Sequence, residues 1–298
     1  MLLKYRFISS DLFKTNIEND GLILEPTLLQ YINSNIDKIK PNTIIFSNTI
    51  SIISSDIETI KPYIDIPRIS IYYDSNDIKD SKDSKDSKDN YDYKIFKSAY
   101  SFEQNNMKIS SNIRNCVINV IKKYNTSYMN NKSLQRVLLG IGGEYYVYHV
   151  FLKNMGYDKY IGLTNNEFIN SDAKYNYSYH KMSDVAETYY LETYLDLMIN
   201  SEINGLNPDR LINCLTKNNI YIDIIINLSR LNINVLEFIV RLKKNINSFT
   251  VISCYEKDFN TKIQLLPNEF TQNMKKFNFI DETTEQKITV YHNKFTNF

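Results

Sequence analysis

From residue 136 onward the chain alternates short apolar runs with segments of helical period, and that alternation leaves few architectures open to it. The runs are RVLLGI (136–141), YIGL (160–163), IYIDIIINL (220–228) and FTVISC (249–254). A helix is predicted over 109–124, another from the Gly142-Gly143 turn through Met155, and a third in NVLEFIVRLKKN (234–245) between the last two runs. Strands separated by helices of roughly ten to fifteen residues form βαβ units, and such units build a parallel sheet. The stretch KFNFIDETTEQKITVYHNKF (276–295) reads instead as a closing antiparallel hairpin, a mixed edge that large α/β sheets accommodate. The expected fold class is α/β.

Ahead of this domain the pattern differs. TIIFSNTISII (43–53), RISIYY (68–73) and YKIFKSAYSF (93–102) have β-rich character, and LEPTLLQYINSNIDKI (24–39) carries helical periodicity. Residues 74–92 repeat Asp-Ser-Lys with almost no apolar content, so burial cannot offset the entropy of ordering and a disordered loop is predicted. The expected division is a small α+β region over 1–100 and a larger domain over 101–298.

At 298 residues with 43% hydrophobic side chains, the chain can bury a core of that size. Cys116, Cys214 and Cys254 are too few and too scattered for a disulfide framework, and no Cys-x-x-Cys pair suggests zinc or an iron–sulfur cluster. His149, His180 and His292 have no metal-binding spacing, and His149 reads as a structural residue. The amino terminus lacks an apolar core of signal-peptide length, and no later window approaches the roughly 20 apolar residues of a membrane span. The expectation is a soluble cytoplasmic protein with no metal and no membrane partner. A net charge of +1 gives no global attraction for nucleic acid, although local clusters can still contact phosphates.

Three of the seven glycines fall in Gly140-Ile141-Gly142-Gly143, after the first strand of the alternating domain. Glycine there permits a sharp turn, close approach of a ligand and helix amides aimed at it, as a nucleotide-like cofactor needs. The same residues also make a plain strand-to-helix turn. The dinucleotide fingerprint GxGxxG is incomplete: Tyr145 stands at its third glycine, and Thr164 follows the second strand where an acidic ribose ligand would sit. Cys254 comes at the end of a predicted parallel strand, and open α/β sheets place their chemistry outside those carboxyl ends. The thiol is therefore a candidate nucleophile; a free cysteine also serves as a small buried hydrophobe.

Four segments in this order resemble the SAM-dependent RNA uracil-C5 methyltransferases, the tRNA (uracil-5-)-methyltransferase family. Ser101-Phe102-Glu103-Gln104-Asn105-Asn106 resembles the family's S-F-x-Q-x-N segment, and Leu138-Leu139-Gly140-Ile141-Gly142 its glycine-rich first motif. Asn227-Leu228-Ser229-Arg230 stands where the family has D-P-P-R, and Val251-Ile252-Ser253-Cys254 resembles its strand ending in S-C-N-P. The resemblance runs from about residue 93 to the end, without the family's amino-terminal RNA-binding barrel. It implies a Rossmann-like class I methyltransferase domain over 101–298, with 1–100 a partial central, substrate-side α+β region. It also implies S-adenosyl-L-methionine as cofactor and RNA, in particular tRNA, as substrate. On this resemblance Gln104, Gly140, Gly142 and Thr164 hold the cofactor, Asn227 and Arg230 the substrate, Cys254 is the nucleophile and Glu285 the terminal base, with Glu282 second. The sequence departs from the family in lacking the acidic residue near Thr164, in Asn227 for aspartate, in the lost prolines, and in Tyr255-Glu256 after the cysteine.

The residue types suit the implied chemistry. Uracil C5 becomes nucleophilic only after a thiolate adds to C6. The Asn227 amide offers a donor and an acceptor to O4 and N3, without an aspartate's charge. Glu285 would remove the C5 proton, although a glutamate in DETTEQK also reads as a solvated hairpin charge. The target base has to be extruded from folded RNA, and among 24 tyrosines no single stacking partner is marked. Two further readings stay open. One is a catalytically inactive methyltransferase-like subunit that binds RNA or a protein partner supplying RNA selection; the other is a different Rossmann-like methyltransferase for which Cys254 is incidental.

Overall fold

The computed structural model describes residues 43–46, 51–54, 69–73, 93–97, 107–125, 133–199, 202, 204–280 and 287–295. The helix expected at 24–39, the loop at 74–92, the S-F-x-Q-x-N segment with Gln104, and both Glu282 and Glu285 lie outside the described residues. The chain divides into two units, Met1–Ile71 with Ile95–Ser101, and Tyr72–Lys94 with Phe102–Phe298. In the first, the run 43–53 is two strands, β1 (Thr43–Phe46) and β2 (Ser51–Ser54), paired antiparallel. Strands β3 (Ile69–Tyr73) and β4 (Tyr93–Lys97) make another two-stranded sheet.

The second unit is built on a seven-stranded sheet. Its strands are β5 (Gln135–Gly142), β6 (Lys159–Thr164), β7 (Ala186–Tyr190), β8 (Ile220–Asn227), β9 (Ile246–Ser253), β10 (Lys275–Ile280) and β11 (Lys287–Lys294). They lie in the order β10-β11-β9-β8-β5-β6-β7. Strands β5 to β9 are parallel, and β11 runs antiparallel between β9 and β10. The longer helices are α1 (Met107–Asn125), α2 (Tyr145–Phe151), α3 (Glu167–Tyr179), α4 (Pro208–Leu215), α5 (Ile233–Arg241) and α6 (Glu256–Ile263). This is the Rossmann-like class I methyltransferase fold, with the closing hairpin in its expected place.

The two faces of the sheet differ in chemistry because successive side chains along a strand point to opposite sides. Val137, Leu139 and Ile141 of β5, Ile222, Ile224 and Ile226 of β8, and Phe249 and Val251 of β9 join Val235, Leu236, Phe238 and Ile239 of α5 in one apolar cluster. The alternate positions mix apolar Leu138, Tyr160, Ile225 and Ile252 with Gly140, Gly142, Gly162, Thr164, Asp223, Asn227 and Thr250. Buried Asp223 is satisfied on that side by the Tyr157 hydroxyl at 2.7 Å, Asn247 Nδ2 at 2.9 Å and the Ser248 hydroxyl.

Helix α2 lies on the glycine-bearing face, and all seven of its residues are buried. A Cβ at Gly162 or at Gly140 would overlap Tyr145, and at Gly140 it would also approach His149 Nε2 to 2.8 Å. The ring standing at the third position of the fingerprint is thus housed by glycines on two neighbouring strands. Its hydroxyl bonds Thr188 Oγ1, which donates to Asn170 Oδ1 at 2.8 Å. His149 Nδ1 lies 2.6 Å from the Tyr177 hydroxyl and its ring stacks on Tyr177; burial pushes the imidazole down to about 3. The structural reading of His149 fits this setting.

Two expectations follow. Gly162→Ala should cost about 2–3 kcal/mol in denaturant unfolding by overpacking, and Tyr145→Leu in the same chain should recover part of that loss; purely additive losses would contradict the shared slot. Neutral His149 contributes stability that is fully present above its unfolded value near 6.5 and is lost as pH falls toward about 3. Between pH 6.5 and 5 the unfolding free energy should therefore decline more steeply in the natural protein than in His149→Gln, and equal slopes would refute the assignment.

Candidate functional site

Open α/β sheets bind ligands outside the carboxyl ends of their strands, at the point where the strand order reverses. Strand β5 has β6 on one side and β8 on the other, which puts that point at Gly142. A cavity of about 190 Å³ lies there, walled by the ends of β5, β6, β8 and β9 and by residues of α1. Register accounts for the wall: Gly142 pairs with Asn227 and Asn227 with Ile252, so three strand ends stand abreast. Cys254, two residues beyond Ile252, falls on the same side and lines the cavity with Asn227, Gly142, Gly143 and Thr164. The thiol is half-buried, and that burial pushes it up from its ordinary value.

The glycine turn is shaped mainly by protein. Gly142 has φ 98°, and a Cβ there would overlap the Asn227 carbonyl. The Gly143 amide donates to that same carbonyl at 2.7 Å, which ties the end of β5 to the end of β8. The next residue, Glu144, has φ 53°, in the left-handed region, and is buried in the cavity wall. Gly140 stands further back on β5, where Tyr145 and His149 fill the space in front of it. At the end of β6, buried Thr164 accepts the Asn166 amide through Oγ1 at 3.2 Å, and Asn166 Oδ1 caps α3 by accepting from Phe168 and Ile169. Arg230 is exposed and lies over the Tyr255 ring, 5.0 Å from its centroid.

Sequence reasoning missed several cavity residues, three of which carry a charge or a buried hydroxyl. Arg114 of α1 is buried, donates to Ser110 Oγ at 3.2 Å and lies over the Phe151 ring. Glu144 is the second. The third is Tyr194, whose buried hydroxyl sits beside the Asn165 backbone amide. The local signal for Tyr194 was present: Thr193 and Asp196 form a capping box that fixes the 3₁₀ turn Tyr194–Met198. Among the described residues no group of His, Cys, Asp and Glu is arranged to hold a metal ion, and no helix is long and apolar enough to cross a membrane.

No family model matches the sequence, and no curated protein matches it. Among solved structures, the chain is similar to the human methyltransferase 10 domain containing protein, at 14% identity, covering 62% of this chain and 82% of that one, with a TM-score of 0.42. It is also similar to the N-terminal domain of human METTL16 in complex with SAH, at 13% identity, 62% and 70% coverage and a TM-score of 0.42. A third is M. capricolum TrmK in complex with S-adenosyl-homocysteine, at 12% identity, 61% and 69% coverage and a TM-score of 0.36. Likeness at this level carries no argument about activity, and the strand order of the sheet stands on its own.

Proposed function

We propose that this chain is an S-adenosyl-L-methionine-dependent methyltransferase acting on RNA, and that it forms 5-methyluridine, first of all in tRNA, through Cys254. What carries the reading is a thiol and a glycine turn in one cavity at the point where the strand order reverses. The cavity suits an adenosyl ligand in chemistry. Its walls offer hydroxyls, amides, one carboxylate and one guanidinium. Its volume of about 190 Å³ falls below the roughly 300 Å³ that commonly encloses a small ligand, so a nucleoside would extend past its mouth.

Gly142, Gly143, Thr164 and Asn165 would hold the cofactor, which supplies an electrophilic methyl group when bound. The remaining work falls to side chains. Burial opposes ionisation of Cys254, so its proton has to pass to a base when the substrate enters. The sulfur then bonds uracil C6, and the C5–C6 electron pair moves toward C5 and O4. There the Asn227 amide would donate to O4 and accept from N3–H. Once C5 is methylated, a carboxylate takes its proton, the C5–C6 double bond re-forms and the C6–S bond breaks, returning the thiolate. Glu285, then Glu282, remain the proposed bases. Arg230, held over exposed Tyr255 next to the cysteine, is the proposed RNA contact. Choice of RNA is assigned to residues 1–100 or to a protein partner, in the cytoplasm.

A second reading has its own support. No carboxylate ends β6, and the Thr164 hydroxyl is turned to the Asn166 amide. The fold would then persist as a catalytically inactive subunit that binds RNA or a partner.

Incubation with labelled S-adenosylmethionine and RNA containing 5-fluorouridine should yield a stable covalent adduct that disappears in Cys254→Ala. RNA binding with neither adduct nor cofactor affinity would support the inactive subunit, and methylation that survives Cys254→Ala would make the thiol incidental. In the free protein at pH 7, Cys254 should alkylate more slowly than exposed Cys214; the reverse order would contradict its raised value.

A further inference from the structure

We infer that Tyr255 is a platform on which the base beside the target nucleotide stacks, with Arg230 and Lys257 meeting the adjoining phosphates, an assignment that rests on the RNA reading above. Tyr255 directly follows Cys254 but does not line the cavity that the thiol lines, and its side chain is 49% exposed. A base brought to the sulfur fills the cavity mouth, so the ring outside it meets the next base along the strand.

The platform is set in advance. The Tyr255 amide donates to Ser253 Oγ at 3.2 Å, and its carbonyl accepts the Phe259 amide at 3.0 Å as α6 begins. The loop that carries Arg230 is tied to the same helix: the Leu231 amide donates to Asp258 Oδ2 at 3.2 Å, and the Leu231 carbonyl accepts from Lys262 Nζ at 2.6 Å. With both segments held, the Arg230 guanidinium lies 5.0 Å from the centroid of the Tyr255 ring. An aromatic side chain fixed in this way loses little freedom when a base covers it, and stacking accepts any base because each has a π-face.

Charge supplies a separate argument. Exposed Arg230 and Lys257 have no carboxylate partner among the described residues. The acids nearest them are already taken, Glu256 by Lys276 and Lys287, and Asp258 by Lys262. Lys257 also stands in the first turn of α6, where the helix dipole disfavours a cation. Two cations without counter-charge beside an exposed ring match an unpaired strand of RNA, whose bases stack on aromatic groups while its phosphates attract the cations.

Fluorescence anisotropy of the full chain with a hairpin RNA whose loop holds a single uridine tests the assignment. Tyr255→Leu should weaken binding about tenfold, and Tyr255→Phe by less than about twofold. An abasic ribose placed on one side of the uridine, 5′ or 3′, should weaken binding to the natural protein by a similar factor and make no further difference to Tyr255→Leu. Arg230→Gln should lower the slope of log affinity against log salt by about one. Additive losses from ring and base on both sides of the uridine would overturn this inference and leave the RNA reading standing. Coupling of the ring to the uridine itself, or a Tyr255→Phe as weak as Tyr255→Leu, would overturn it in the same way, and an unchanged slope in Arg230→Gln would remove the phosphate contact. Failure of the natural protein to bind the hairpin would remove the RNA reading and this inference with it.

Discussion

The ring of Tyr145, seated in space that Gly140 and Gly162 leave open on adjacent strands, fixes the position of helix α2 on the sheet. The turn that enters this helix has little freedom left. Gly142 is pressed against the carbonyl of Asn227, Gly143 donates to that carbonyl, and Glu144 takes the left-handed conformation that carries the chain into Tyr145. A larger residue at either strand glycine would displace the helix, and the cavity wall built on the turn would move with it. Packing in the core and geometry at the site are therefore one constraint.

The sheet divides its labour between faces. On the aliphatic side, each fully buried Ile, Leu or Phe contributes about 1.5–3 kcal/mol, and α5 with α6 supplies a second layer of such groups. The other side mixes buried apolar residues with glycines, Asp223 and its hydrogen-bonded partners, and the polar strand ends that open into the cavity. Leu138 and Ile225 on that same side are also fully buried, so apolar packing holds both faces and the strained Glu144 sits at the margin of one of them.

Much of this was legible because aliphatic runs specify strands and parallel order aligns their carboxyl ends. Asn227 and Cys254 share a wall for that reason, although 27 positions separate them in the chain. Helix α3 and strand β7 were not legible. EFINSDAKYNYSY buries Asp172 and Asn176 along with Ile169, Ala173 and Tyr177, so no apolar stripe announces it, and AETYY is a short, half-exposed edge. Helix α4 did carry a start signal, since Asn207 caps it ahead of Pro208. The glycine cluster was read correctly as a turn, but the partner of Gly140 is a side chain of the next helix, a tertiary fact that spacing does not encode. Arg114 and Tyr194 enter the cavity only through the packing of α1 and of the segment after β7.

A crystal structure of the protein grown with S-adenosylhomocysteine tests the central claim most directly. The account predicts the nucleoside against the Gly142 turn, with the Cys254 sulfur facing the open end of the same groove. A ligand bound elsewhere, or a Cys254 sulfur screened from the ligand by packed side chains, would contradict it.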